Sequence, residues 1–321
     1  MRDGAQYGSA EVILFDAVTA HRDATRTALG MLGFKRIFTA SGIDEITHSV
    51  SQRPCDVLIA DLTVESERVC KMVRDVRQGE TAPNPFVVVM LTSWGVREED
   101  ANTVMGSGAD DVLIRPFSVS FLAERVRTLV DARKDFIVTA DYVGPNRRKN
   151  SDRSNRPGTI EVPNTLRFKA KPAEAGGVDV DLVSAVRDAR SKVGELRLVG
   201  SALQMRLLAH FALLAAKDGT ALEKYIVPMS AISRLLFDKL NRPSDAALAS
   251  VSASLLETVA AVMQGEDVVR SLEICGGCAK AIHEGLCPDR DTSALEEEFA
   301  QAVKRLVRRG TKSVLEGASA G

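Results

Sequence analysis

Asp56-Val57-Leu58-Ile59-Ala60-Asp61 sets four apolar residues between two acids. A run this short, rich in branched side chains and closed by charge, predicts a strand over residues 56–60 that is buried on both faces. Similar runs lie to either side, at residues 12–15, 36–39, 86–91 and 112–114. Between them, apolar residues recur at helical spacing over residues 20–32, 43–52, 66–77, 98–107 and 118–133. Strand and helix thus alternate five times, which predicts βαβ units, a parallel sheet and helices on both of its faces. In such a sheet ligands gather beyond the carboxyl ends of the strands. Those ends carry Asp16, Asp61, Thr92 and Arg115-Pro116, four polar positions from distant parts of the chain.

Four blocks fall in order along this region: Val12-Ile13-Leu14-Phe15-Asp16, Asp56 to Asp61, Met90-Leu91-Thr92-Ser93 and Gly108-Ala109-Asp110-Asp111-Val112-Leu113-Ile114-Arg115-Pro116-Phe117. On these blocks, residues 10–135 resemble the response-regulator receiver (CheY-like) family. The resemblance implies an α/β, five-stranded parallel, flavodoxin-like domain that takes a phosphoryl group from a histidine kinase on Asp61, in a two-component phosphorelay. It also implies Mg²⁺ at Asp16 and Asp61, with Thr92 and Arg115 completing the phosphoryl pocket. A carboxylate attacks a charged phosphate only when a cation neutralises both, so the acidic set decides the chemistry. The family's second acid is Ala17 here, its lysine is Arg115 and its strand aromatic is Val112, while Leu62-Thr63-Val64 replaces its usual Met-Pro turn. Arginine keeps the charge of lysine but presents a planar fork instead of a compact ammonium. Two readings stay open: Asp61 as phosphoacceptor, or a degenerate receiver kept as a docking module.

Residues 136–176 read as a basic linker. Turn residues and Arg147, Arg148, Lys149, Arg153 and Arg156 dominate, with too few apolar side chains for a packed core. A solvated linker is one reading. The other is an anion site at Arg147, Arg148 and Arg153 for a nucleotide or a nucleic-acid backbone.

From residue 177 to 310 the periodicity is purely helical and predicts an all-α domain of six amphipathic helices. Leu182, Val183, Val186 and Val193 mark the first, and Leu203, Leu207, Phe211 and Leu214 the second. Ile232, Leu235, Leu236 and Leu240 mark a third, beyond a Val227-Pro228 turn that could open a DNA-recognition helix. Asp245 starts a fourth, residues 268–282 form a fifth, and Ser293 to Glu296 spells a capping box for the sixth. His210, among apolar neighbours, reads as a packed imidazole. Cys275, Cys278, His283 and Cys287 supply the ligand types of a tetrahedral Zn²⁺ site, with semi-buried thiols as the alternative.

Five cysteines and a net charge of -1 fit a reduced, cytoplasmic protein with no basic excess. Residues 207–216, the most apolar stretch, are broken by His210 and too short for a bilayer, so no membrane role is expected. With no catalytic triad, phosphate-binding glycine loop, cyclase or phosphodiesterase signature, the chain reads as a non-enzyme. The expected partners are a histidine kinase or another signalling protein, with a homodimer as a further option. A nucleic-acid or nucleotide-binding regulator is the alternative function.

Overall fold

Strands of branched residues alternate with amphipathic helices from the start of the chain: β1 (Glu11–Phe15), α1 (Thr19–Met31), β2 (Arg36–Ala40), α2 (Ile43–Gln52), β3 (Val57–Asp61), α3 (Ser66–Arg77), β4 (Val88–Ser93), α4 (Glu98–Gly106), β5 (Asp111–Ile114) and α5 (Val119–Asp131). The computed structural model describes residues 6–95, 98–147, 158–171, 181–242 and 245–318. The strands pair in parallel in the order β2-β1-β3-β4-β5. Because side chains alternate across a strand, each strand feeds both faces. Ile13, Leu58, Val89 and Leu91 meet Ile46, Val69 and Val73 of α2 and α3 on one side. Val12, Ile59, Val88 and Met90 meet Leu29, Leu122 and Val126 of α1 and α5 on the other.

Residues 136–147 and 158–171, expected as linker, pack onto this domain instead. They form β6 (Phe136–Val138), β7 (Val143–Pro145), β8 (Thr159–Ile160) and α6 (Thr165–Ala170), with β6 central in a three-stranded antiparallel sheet. Phe136, Val138, Val143 and Leu166 are buried. Few apolar residues are needed because the sheet-and-helix domain supplies the other half of the core. The guanidiniums of Arg77 and Arg133 each lie 5.0 Å from the Phe136 ring centroid, and both arginines bond Asp110 at 2.8 Å. Gly108, at φ +87, lets the chain pass: a side chain there would meet the Val143 carbonyl at 2.5 Å. Leu166 joins the α1/α5 core, and Lys169 reaches Asp56 at 2.6 Å.

A first compact unit therefore extends over Met1–Gly194 and a second over Glu195–Gly321. The second contains the rest of α7 (Leu182–Lys217), then α8 (Glu223–Leu240), α9 (Ala246–Gln264), α10 (Val268–Gly285) and α11 (Thr292–Ala318). The first two helices expected from the sequence are one, α7, because Gly194 and Gly200 lie among strong helix formers with no proline to stop them. α8 runs unbroken through Pro228, so the expected Val227-Pro228 turn is absent. Asp245 caps α9 by accepting from Leu248 N at 3.1 Å, as expected. α11 starts earlier than the Ser293 box, beyond Asp291, whose carboxylate takes the Ser293 hydroxyl. Met205 and Ala209 of α7, Met229 and Leu236 of α8, Leu255 and Val259 of α9, and Leu272 and Ala279 of α10 form its core. By length and composition α7 and α9 could each cross a membrane, a property that apolar core helices share.

Candidate functional site

Four side chains converge where the sequence places them, beyond the carboxyl ends of the parallel strands. Asp16 follows β1, Asp61 ends β3, Thr92 lies beside it in register on β4, and Arg115 follows β5. All are buried, Asp16 completely. Thr92 Oγ1 donates to Asp61 Oδ1 at 2.9 Å, and Asp61 Oδ2 accepts from Thr63 N at 2.8 Å. Asp16 Oδ1 accepts from Val18 N at 2.9 Å. Its other oxygen takes Arg115 Nη2 at 2.8 Å.

Arg115 binds the pocket together. The same Nη2 lies 3.2 Å from Thr92 Oγ1 and 3.4 Å from Thr25 Oγ1, while Nε is 3.5 Å from Asp61 Oδ1, an ion pair. The Phe117 ring lies 5.3 Å from the guanidinium carbon. Burial raises the Asp16 carboxyl above its ordinary value; the Val18 amide opposes it, Asp61 adds to it, and the Arg115 charge lowers it. Thr25 and Phe117 were not legible as pocket residues, since neither lies at a strand end. At the surface, His21 and Trp94 contact each other with ring centroids 5.4 Å apart.

This strand order, with an acid at the end of β3, a hydroxyl on β4 and a cation after β5, has counterparts among known proteins. No family model matches the chain. It is 30% identical over 116 residues to the KDP operon transcriptional regulatory protein KdpE of Escherichia coli (strain K12), covering 36% of this chain and 49% of that protein. It is 28% identical over 120 residues to the probable transcriptional regulator ycf27 of Guillardia theta, covering 37% and 45%. To the response regulator MprA of Mycobacterium tuberculosis (strain ATCC 25618 / H37Rv) it is 27% identical over 129 residues, covering 39% and 53%. The N-terminal region is a CheY-like response-regulator receiver domain. The chain spans about half the length of the curated relatives it matches. Among solved structures, a response regulator from Thermotoga maritima aligns with a TM-score of 0.34 and 22% identity, covering 38% of this chain and 99% of that one.

Receiver domains generally hold Mg²⁺ in this acidic pocket. In this receiver the fit is poor. Each of the four carboxylate oxygens of Asp16 and Asp61 already accepts a hydrogen bond. The family's second acidic position is Ala17. A dication at the two acids would also meet the positive charge of Arg115, and like charges this close repel strongly in a dry site. Asp16 and Asp61 converge as the resemblance implied, but an internal cation, Arg115, already pairs with both.

The other candidate residues do not assemble. Cys275 and Cys278 stand one turn apart within α10, and His283 is about 12 Å further along the axis than Cys275. A zinc turn must bring both sulfurs and the imidazole to one point, which a continuous helix prevents. Among the described residues no group of three or more His, Cys, Asp or Glu side chains is placed to hold a metal. Burial pushes the Cys275 thiol up to about 12. His283 Nδ1 accepts from Arg206 Nη1 at 3.1 Å, and burial, then the Arg206 charge, push its pKa down to about 4. Arg147 is tied to the receiver, donating to the Ala109 carbonyl at 2.5 Å; Arg148 and Arg153 lie outside the described residues. His210 packs edge-on to Phe299, with centroids 5.7 Å apart.

Proposed function

We propose that this protein is a response-regulator adaptor whose receiver works by docking and not by phosphoryl transfer to Asp61. One observation carries the reading: Arg115 pairs with both Asp16 and Asp61. The guanidinium stands in for the cation that would otherwise draw in a phosphoryl donor, and Asp61 is nearly without solvent exposure. A nucleophile so engaged must break its bonds to Thr92 and Arg115 before it attacks. The reading is of a cytoplasmic, non-catalytic protein, with a histidine kinase or another signalling protein at the receiver and a protein partner at the helical unit. α7 and α9 serve as bundle helices here, since α9 packs its apolar residues against α8 and α10.

The relatives named as transcriptional regulators suggest DNA as the target. Their similarity spans only 116 to 129 residues, α8 has no recognition turn at Pro228, and Arg147 is tied to the receiver. These favour a protein partner. Incubation with acetyl phosphate and Mg²⁺, followed by intact mass measurement, tests the docking reading. The expected result is no adduct of about 80 Da; an adduct that disappears in Asp61→Ala would overturn it.

A further inference from the structure

α8 buries Met229, Ser233, Leu236 and Leu240 against the helical core. On its opposite face Val227, Ala231 and Leu235 stand exposed among the charged side chains of Lys224, Arg234 and Asp238. Val227 is 71% exposed and Leu235 38%, with exposed Ala231 between them. Together with Lys224 and Asp238, also exposed, they form one stripe with steps of three, four, four and three residues. Steps of three and four keep side chains on a single helical seam, the spacing by which two helices pair.

The stripe reads the same from either end. About Ala231, Val227 mirrors Leu235, the cation Lys224 mirrors the anion Asp238, and the anion Glu223 mirrors the cation Lys239. Lys224 lies 4.8 Å over the Tyr225 ring. Among the described residues, Glu223, Asp238 and Lys239 have no ion-pair partner within the chain. A two-fold axis makes a surface meet its own reverse, so an antiparallel pair of such helices sets Lys224 of each against Asp238 of the other. A parallel pair would set like against like.

We propose that the occupant of this face is a second copy of the chain, docked through an antiparallel α8 pair with Ala231 on the two-fold axis. Val227 of each copy then covers Leu235 of the other. Lys224 meets Asp238. The axis repeats every contact, so one substitution alters two positions in the dimer. The seam is narrow and its rim charges are solvent-exposed, so association depends on protein concentration and weakens with salt.

Analytical ultracentrifugation of the full chain tests this. The wild type is expected to form a dimer that salt dissociates. Lys224→Glu and Asp238→Lys are each expected to raise the dissociation constant about ten-fold or more, since each sets like charges together twice. The double variant, which exchanges the two charges, is expected to restore most of the lost affinity. Lys224 and Asp238 are exposed in the single chain, and equal far-UV circular dichroism confirms that the helices persist. A monomeric wild type at the highest attainable concentration, a dimer indifferent to the single reversals, or a double variant weaker than either single would each overturn the proposal.

Discussion

At the residue scale, the chemistry of the receiver turns on position 115. A lysine would offer a compact ammonium that leaves space between the acids, whereas arginine fills that space with a planar fork. Arg115 spans Asp16, Thr92 and Asp61 in that way. The double substitution Ala17→Asp with Arg115→Lys should therefore create an acceptor: intact mass after acetyl phosphate and Mg²⁺ should show an adduct absent from the wild type. If the double variant folds and stays unmodified, Arg115 and Ala17 are not what silences Asp61. A second buried charge group is structural. Burial alone would raise Asp110, but Arg133 and Arg77 outweigh it and hold the carboxyl below its ordinary value. Arg77 itself is pushed down to about 10 by burial. Asp110→Asn leaves two buried guanidiniums without their counter-charge and should cost about 3–5 kcal/mol, read from the denaturation of the first unit. Asp61 and Thr92 could be read from the sequence because each directly follows an apolar run. Arg115 was visible there as a cation, but its grip on both acids was not.

At the scale of elements, the extension from β6 to α6 shows how little apolar sequence suffices when the partner surface already exists. Read alone, residues 136–176 held too few apolar side chains for a core. Leu166 buries completely because it enters a core that the preceding domain had built, and Phe136 because it packs on Phe86, Arg77 and Arg133 of that domain. Leu166→Ala should accordingly destabilise the first unit by about 2–5 kcal/mol, the ordinary cost of truncating a buried leucine, as measured by urea denaturation. A fragment ending at residue 135 should melt below one ending at residue 171. Equal melting temperatures would mean that the extension contributes nothing. On α8, periodicity assigned Leu235 to the core together with Leu236. Neighbouring residues on a helix are about 100° apart, so only one of them could face α9. Leu236 is buried and Leu235 is not.

At the scale of the whole molecule, two units of different chemistry should respond differently to acid. His283 is buried and neutral, and its pKa is pushed down to about 4 from an ordinary 6.5. The unfolded chain therefore binds a proton at this site more readily than the folded one. The site's contribution is complete above about pH 6.5 and falls away as the pH drops toward 4, by up to about 3 kcal/mol. Thermal melts over this range should show the helical unit losing stability, and His283→Gln should flatten its pH dependence. An unchanged slope in the variant would assign the loss to other groups. The sequence by itself determined the alternation of strands and helices, the parallel sheet that alternation implies and the strand-end residues of the pocket. These are encoded locally, in apolar periodicity and in the residue that ends each run. Only the tertiary structure decided that Arg115 occupies the space between the acids, that the basic segment completes a core, and that Cys275, Cys278 and His283 stay apart along a helix. Each of these depends on which surfaces meet across long sequence separations, and a local pattern carries no record of that.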